Sequence, residues 1–391
     1  MKNDKTPAIR FKGFTEAWEQ RRLGDLISKG GSGGTPSTAN PNFYCGQIPF
    51  LSITDLSNSD GYIYDTEKHI TKEALDSSAA WVVPKESVSL AMYASVGKVA
   101  ILKKNIATSQ AFFNMVFYNL NTRDYCYQYL KKMEENNSWN SLISTGTQSN
   151  LNSEKVKRLS LTMPSNIKEQ EAIGKYFNHL DTLITLHQRK CDVLMNIKKS
   201  LLEKMFPTNG DDKPRIRFKG FTEAWEQCRL GDVFKEYSEK GHVEFPALTI
   251  IQGGGTIRRD ESDRNLQFDK GNLSNHKLVK KGDFIVHLRS FEGGLEKSTE
   301  NGLISPAYHT FHAVNCDSSF YYYYFRSTKF IDVDLKPHVY GIRDGRSIDI
   351  DGMKTINIPF TKEEEQIKIG NFIDTIDTLI TLHQRKRHED I

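Results

Sequence analysis

Long apolar runs are absent from these 391 residues. No stretch of about 18 apolar side chains occurs, which excludes a membrane-spanning helix, and the opening Met1-Lys-Asn-Asp-Lys-Thr-Pro7 has no apolar segment of the signal-peptide kind. The expectation is a cytoplasmic protein. Cysteine is scarce: the five residues Cys45, Cys126, Cys191, Cys228 and Cys316 are odd in number and form no Cys-x-x-Cys pair, so neither a disulfide framework nor a zinc site is indicated. A large charge excess is also missing. With 53 Lys and Arg against 49 Asp and Glu, the net charge of +4 is too small to identify a polyanionic partner by itself. What remains, 38% hydrophobic and 26% charged residues, is ordinary for globular domains in a chain long enough for two cores.

Catalytic signatures are missing too. Gly30-Gly-Ser-Gly-Gly-Thr35 lacks the Gly-Lys-Ser/Thr of a phosphate loop, and Gly253-Gly-Gly255 lacks the dinucleotide-binding glycine spacing before a helix. Asn40-Pro-Asn-Phe43 approaches the Asn-Pro-Pro-Tyr/Phe signature of amino-methyltransferases, but Asn42 stands at the second proline and no cofactor-binding glycine motif accompanies it, so it reads as a loop. His309 and His312 sit in an expected strand, where a spacing of three sends them to opposite faces, a poor metal pair. No serine, cysteine or paired-carboxylate constellation supports hydrolytic chemistry. The chain reads as non-catalytic, without a cofactor or metal of its own.

The dominant feature is a duplication. Ile9 to Gln20 recurs unchanged as Ile216 to Gln227, and Leu180 to Lys190 recurs as Ile376 to Lys386 with only the first residue altered. The first block repeats at an offset of 207 and the second at 196, so the intervening inserts differ by 11 residues net. Fainter matches keep the second offset: Gly97 with Gly293, and Ser109 to Phe112 with Ser305 to Tyr308. The inserts are therefore distant copies of one fold, with the length difference upstream of about Gly97, where a loop tolerates insertion. A period near 200 means two domain-sized units rather than a solenoid.

From Lys168 to Met205 no proline intervenes, and Ile173, Phe177, Leu180, Ile184, His187, Cys191, Leu194, Lys198, Leu201 and Met205 recur at alternating steps of four and three. This heptad spacing predicts a long helix with a coiled-coil seam. Ile369, Ile373, Ile376, Ile380 and His383 form the corresponding seam of a shorter helix from about Lys362 to Arg387. Antiparallel pairing seals both stripes and sets the inserts at opposite ends. The seam residues His187 and His383 read as packed or hydrogen-bonded, not as metal ligands. Pro207 to Pro214 is a break-and-turn segment between the halves.

Within the inserts, Ile48 to Thr54, Ser87 to Tyr93, Asp283 to Arg289 and Tyr308 to Val314 read as short strands, and Asp124 to Glu135 and Ser318 to Thr328 as helices. Each insert is thus a mixed α/β domain. After matched strands come Tyr93-Ala-Ser-Val-Gly-Lys98 and Arg289-Ser-Phe-Glu-Gly-Gly294, turns of different chemistry at equivalent places. A second pair of loops is Thr145 to Asn150 and Tyr340 to Arg346. Base reading needs side chains of this kind: Arg forks onto guanine, Asn or Gln onto adenine, and hydroxyls serve several bases. The DNA-contact candidates are Tyr93, Ser95, Lys98, Thr145, Thr147, Gln148, Asn150, Arg258, Arg259, Arg289, Ser290, Tyr340, Arg343 and Arg346. Basic residues crowd the start of the second insert, from Arg258 to Arg289.

Two near-identical frames, Gly13 to Asp25 with its copy Gly220 to Asp232 and Pro164-x4-Glu-Gln with its copy Pro359-x5-Glu-Gln, alternate with two diverged inserts. The combination resembles the DNA-specificity subunit of type I restriction-modification systems. That resemblance covers almost the whole chain and implies residues 1–163 as a first target recognition domain with its framework block, 164–210 as a central spacer helix, 211–359 as a second recognition domain with the repeated block, and 360–391 as a C-terminal spacer helix. It implies an α/β fold in which two long antiparallel coiled-coil helices join the recognition domains about a pseudo-twofold. It further implies that each domain reads half of a bipartite site on double-stranded DNA, that the helices fix the gap and dock two modification subunits, and that restriction and translocase subunits complete the assembly. S-adenosylmethionine, ATP and Mg2+ then belong to those partners. The second helix ends some 11 residues short of the first copy's length, from which weaker pairing at its far end is expected. Two other readings compete. A self-contained DNA methyltransferase or nuclease requires motifs that are missing, and a coiled-coil adaptor has no use for diverged inserts.

Overall fold

The two copies of Ile-Arg-Phe-Lys-Gly-Phe are tied to the two copies of Glu-Gln by one repeated contact. In the computed structural model, which describes residues 7–143, 151–208, 210–261, 270–287, 289–341 and 347–389, the Arg10 guanidinium donates from Nε and Nη2 to both oxygens of Glu169 at 2.6 and 2.7 Å. Trp18 Nε1 donates to the same carboxylate at 3.3 Å. Arg217 and Trp225 do the same to Glu365, at 2.6 and 2.8 Å from the guanidinium and 3.0 Å from the indole. Both carboxylates are fully buried, and a buried charge persists only when it is paired and hydrogen-bonded. The adjacent glutamines face the other way. Gln170 Nε2 donates to Pro164 O and Gln366 Nε2 to Thr361 O, both at 2.7 Å, while their Oε1 atoms accept from the inserts, from Thr122 Oγ1 at 2.7 Å and Asp317 N at 2.9 Å. Each Glu-Gln dipeptide thus clasps the framework block with one residue and its insert with the next.

The chain divides into two compact units, Met1–Leu186 and His187–Glu389. In the first, a five-stranded sheet has the order Ile27–Ser32, Phe112–Phe117, Val88–Ala91, Val99–Leu102, Tyr62–Ile63. A four-stranded sheet, Lys68–Ile70, Ile48–Leu51, Ile106–Thr108, Val82–Val83, accompanies it, and the helix Leu120–Glu135 packs with the core that includes Leu90, Ile101 and Phe113. The frame strand Glu19–Arg22 pairs antiparallel with Ser160–Met163. The second unit repeats this plan: Phe234–Tyr237, His309–Ala313, Phe284–Val286 and Glu296–Lys297 form a sheet in the same order, and Glu226–Arg229 pairs with Asn357–Phe360. Its core is aromatic, built from Phe234, Phe284, Phe311, Tyr321 and Phe325 among others. The inserts are copies of one mixed α/β fold.

One of the places where the two copies differ is the connection that follows an equivalent strand. In the first unit Ile48–Leu51 is followed by a helix, Ile53–Asn58, before Tyr62–Ile63; in the second, Leu248–Ile251 turns through residues 252–254 directly into Gly255–Arg258. Ser52 and Asp55 explain the helix. They form a capping box, the Ser52 hydroxyl accepting from Asp55 N and the Asp55 carboxylate from Ser52 N. The strand expected over Ile48 to Thr54 therefore stops at Leu51. Likewise the strand expected over Asp283 to Arg289 ends at Val286, because the Ser290 hydroxyl accepts from His287 N at 2.9 Å and turns the chain. Gly30-Gly-Ser lies in the edge strand Ile27–Ser32, where the Ile27 and Phe113 side chains pack so closely on Gly30 that a Cβ has no room.

The first long helix runs from Ile167 to Lys204, 38 residues and about 57 Å at 1.5 Å per residue; the second runs from Glu363 to Glu389. Gly174 and Gly370, equivalent positions in the duplication, let each helix approach its own domain: a Cβ at Gly174 meets Asp124 Cβ at 2.9 Å, and one at Gly370 meets Asp317 Oδ1 at 2.6 Å. Within the second unit, residues 187–204 lie antiparallel to the second helix, His187 against His383 and Lys198 against Asp377. Ile369, Ile373, Ile376 and Ile380 are buried there, with Cys191 buried on the facing helix, Leu201 partly so, and Met205 buried just past its end. Each isoleucine contributes about 1.5–3 kcal/mol relative to exposure. In the first unit the stripe is less well sealed. Ile173 packs on the domain core and Leu180 and Ile184 are half-buried, but Phe177, expected on the seam, is 45% exposed. Its ring packs edge-on against Tyr176, which in turn meets Phe11. Leu194, also on the expected seam, is half-buried.

The polar seam residues set the register. Lys198 Nζ bonds both oxygens of Asp377 at 2.6 and 2.7 Å, and Tyr323 OH donates to Asp374 and Asp377 at 2.5 and 2.9 Å. A polar group satisfied in one alignment alone disfavours slipped ones. His187 Nδ1 lies 2.9 Å from His383 Nδ1, so one ring donates and the other accepts. Burial, then Lys190, His187 and Lys386, hold the His383 pKa below its ordinary value. A histidine whose folded pKa lies below its unfolded one stabilises the fold above the unfolded pKa, and this contribution is lost as pH falls through the folded value. The thermal midpoint is therefore expected to drop as pH goes from about 7.5 towards 5.5, the ordinary histidine value being near 6.5. The His383→Leu variant should flatten that part of the profile, and an unchanged slope would refute the assignment.

Candidate nucleic-acid interface

A turn that follows a matched sheet strand is held at the edge of each unit. In the first, Tyr93 and Ser95 are exposed and Lys98 is half-exposed. Ser95 is held at φ +50°, which few non-glycine residues adopt. The helix Ile53–Asn58 supports the turn: Ser57 Oγ lies 3.2 Å from Ser95 Oγ, and Lys98 Nζ donates to Ser57 O at 2.9 Å. Trp139 closes it from below, its indole carbon Cδ1 only 2.3 Å from where a Cβ on Gly97 would sit. Tyr93, Ser95 and Lys98 are thus brought together with Ser57, whose part sequence reasoning missed.

In the second unit Arg289 is exposed, and among the described residues its guanidinium forms no hydrogen bond or ion pair. Ser290 is different. It is fully buried, with its hydroxyl committed to His287 N, so its place among DNA-contact candidates is corrected to that of a turn former. His287 itself is partly buried, and burial pushes its pKa down. Arg258 and Arg259 stand away from the Arg289 turn, at the far end of the hairpin Leu248–Arg258. Arg258 pairs with Glu300 at 2.9 Å, which raises its pKa, and Arg259 Nε donates to Leu248 O at 3.1 Å. Both still carry charge, but their geometry is set within the domain. Tyr340 is exposed on the short strand Val339–Tyr340. Thr145, Thr147, Gln148, Asn150, Arg343 and Arg346 lie outside the described residues.

Of the basic cluster, Lys277 donates to Tyr308 O at 2.6 Å and Lys280 to Glu239 at 2.9 Å. His309 and His312 take separate partners, Glu236 and Asp283. Burial pushes the Cys126 and Cys316 thiols up to about 12, far from the range of a nucleophilic thiolate. Among the described residues no group of three or more His, Cys, Asp or Glu is placed to hold a metal, and no helix is long and apolar enough to cross a membrane. The arrangement offers polar and cationic side chains on rigid turns, suited to binding.

Residues 15–196 and 222–391 each match the profile of the type I restriction modification DNA specificity domain, and the chain belongs to that family, with one copy of the domain in each half. The MjaIX specificity subunit of the type I restriction enzyme of Methanocaldococcus jannaschii is 29% identical over 228 residues, 56% of this chain and 52% of that one. The MjaVIII specificity subunit of the same organism is 24% identical over 396 residues, 96% of this chain and 89% of the relative. The chain thus spans about half of the first relative and most of the second. The crystal structure of the type I restriction-modification system S subunit from M. genitalium shares the fold, with a TM-score of 0.62 at 14% identity over 98% of this chain and 96% of the other.

Proposed function

We propose that this chain is the DNA sequence-specificity subunit of a type I restriction-modification complex, reading a bipartite target with one half-site per unit. The observation that carries the proposal is a contrast: frame, buried Glu-Arg-Trp clasp and sheet order are repeated, whereas the equivalent exposed turns hold Tyr93, Ser95 and Lys98 in one unit and Arg289 in the other. Selection for folding alone gives no reason to keep one and vary the other. Lysines and arginines supply salt-sensitive phosphate contacts, and a few turn side chains read base edges.

The long helices carry a second repeated surface. Tyr176 and Phe372 are equivalent and exposed, each edge-on to an equivalent framework phenylalanine, Phe11 or Phe218, and Leu186 and Leu382 repeat the exposure further along. Matching apolar stripes on two helices suit two copies of one partner, and we assign them to two modification subunits. S-adenosylmethionine, ATP and Mg2+ then serve modification, restriction and translocase subunits, and adenine methylation is performed outside this chain. The helical spacer fixes the gap between half-sites, and half-sites about one turn of DNA apart, roughly 34 Å, face the same side.

The test is single-molecule mapping of methylated adenines in cells carrying this chain and its modification partner. Two short specified elements separated by an unread gap of constant length are expected. A contiguous motif, or methylation without sequence dependence, would reject the reading, and methylation by the purified chain with S-adenosylmethionine alone would favour a self-contained enzyme.

A further inference from the structure

We propose that Gln252 is a base-reading residue of the second unit, contacting an adenine in the major groove beside a base contacted by Arg289. This rests on the DNA-reading function above and adds to it a residue, an element and a base. Gln252 stands at the tip of the hairpin Leu248–Arg258, exposed, and among the described residues its amide forms no hydrogen bond. A two-stranded ribbon is one of the few elements a major groove admits.

The tip is fixed from within. Gly254 N donates to Ile251 O at 2.9 Å, closing a turn in which Gly253 takes φ +82° and Gly255 +75°, values that glycine alone adopts without strain. Below it the fully buried Glu296 accepts from Gly253 N at 2.6 Å and Gly255 N at 3.1 Å, and its charge is balanced by Arg326 Nη1 at 2.7 Å. A buried carboxylate spent on two backbone N–H groups of a surface tip is costly unless the position of the tip matters.

The tip also touches the Arg289 turn. A Cβ built on Gly293 would lie 2.4 Å from Gln252 Nε2 and 2.9 Å from its Cγ, so the glutamine side chain lies across Gly293, in the same turn as Arg289. In the first unit the helix Ile53–Asn58 occupies the equivalent connection and meets the equivalent turn through Ser57. This connection differs between the units and yet abuts the reading turn in both. Glutamine forks onto the N6 and N7 edge of adenine and arginine onto guanine, so the second half-site should contain adenine close to guanine.

The experiment uses the whole chain assembled with its modification subunits and a DNA library randomised over both half-sites, with bound and methylated sequences counted. For Gln252→Ala the preference for adenine at one position of one half-site should fall roughly tenfold or more, with the other half-site and the thermal midpoint as in the parent. Gly293→Ala, which keeps the glutamine but displaces it, should relax the same position. Sequence profiles identical to the parent in both variants would overturn the proposal, as would loss confined to the other half-site. A parent without any sequence preference would instead defeat the underlying function.

Discussion

Replacing residues 27–160 with the insert of another family member is expected to exchange one half of the recognised sequence and leave the other half as it was. The boundaries fall beside the framework pair Glu19–Arg22 with Ser160–Met163, so the clasp of Arg10 and Trp18 on Glu169 is kept. What the new insert must supply is a small set of contacts to the frame. Here these include Thr122 to Gln170, the Tyr125 hydroxyl to Thr162 O at 2.7 Å, and Gln128 and Lys131 to Asp181 at 2.9 and 2.7 Å. The second unit uses Tyr321 in the place of Tyr125, bonded to Pro359 O at 3.0 Å, which shows that a diverged insert can preserve the joint. Each base pair read differently is worth about 1–3 kcal/mol, so two altered positions change discrimination by roughly one and a half to four orders of magnitude. The readout is competition binding of the assembled complex to both parental targets and both hybrids. Tight binding to one hybrid alone is the expected pattern; a change in both half-sites would show that the units do not read independently.

The frame was legible in the sequence because it is written twice. Identity between Ile9 to Gln20 and Ile216 to Gln227 marked the blocks, and heptad spacing marked both helices to within two residues of their observed ends. The reason for the identity was not legible, since Arg10 and Glu169 are 159 positions apart and nothing local to either names the other. The inserts were harder. Their strands are two to six residues long, too short for alternation to distinguish a strand from a loop, and Gly30-Gly-Ser carries no side-chain pattern at all. Phe177 kept the seam spacing, but spacing does not say whether a facing surface exists at that height of the helix. Gln252 went unnoticed for a different reason: Gly253-Gly-Gly255 was weighed as a phosphate cradle, whereas Ile-Ile-Gln before it and Thr-Ile-Arg after it are the two arms of a hairpin. Ser290 was legible as a turn residue, but the direction of its hydroxyl depends on His287 N, which only the fold brings within reach.

Glu365→Ala should destabilise the second unit by about 3–5 kcal/mol, the usual cost of breaking a buried ion pair by removing one partner. The carboxylate is fully buried and accepts from Arg217, from Trp225 Nε1 at 3.0 Å and from Thr361 Oγ1 at 2.5 Å, so its removal leaves three donors without their acceptor. Arg217, whose hydrogen bonds to Glu365 raise its pKa, is left as an uncompensated charge. In a unit of this size that loss corresponds to a fall of roughly 10 °C in thermal midpoint. The double variant Arg217→Ala with Glu365→Ala removes the charge along with its partner and should be less destabilised than the sum of the two single changes, because the orphaned charge accounts for much of each single cost. The functional consequence follows from the geometry. The clasp joins the framework block to the helix, and Gln366 beside it joins the same helix to the insert through Asp317 N, so loosening it frees one reading edge from its support. Below the melting temperature the Glu365→Ala complex should lose affinity for one half-site while its discrimination at the other is kept, and Glu169→Ala should show the mirror-image pattern. Thermal midpoints within about 1 kcal/mol equivalent of the parent would show that the buried clasp contributes little, and equal loss at both half-sites would place its effect in the assembly as a whole instead of in one frame.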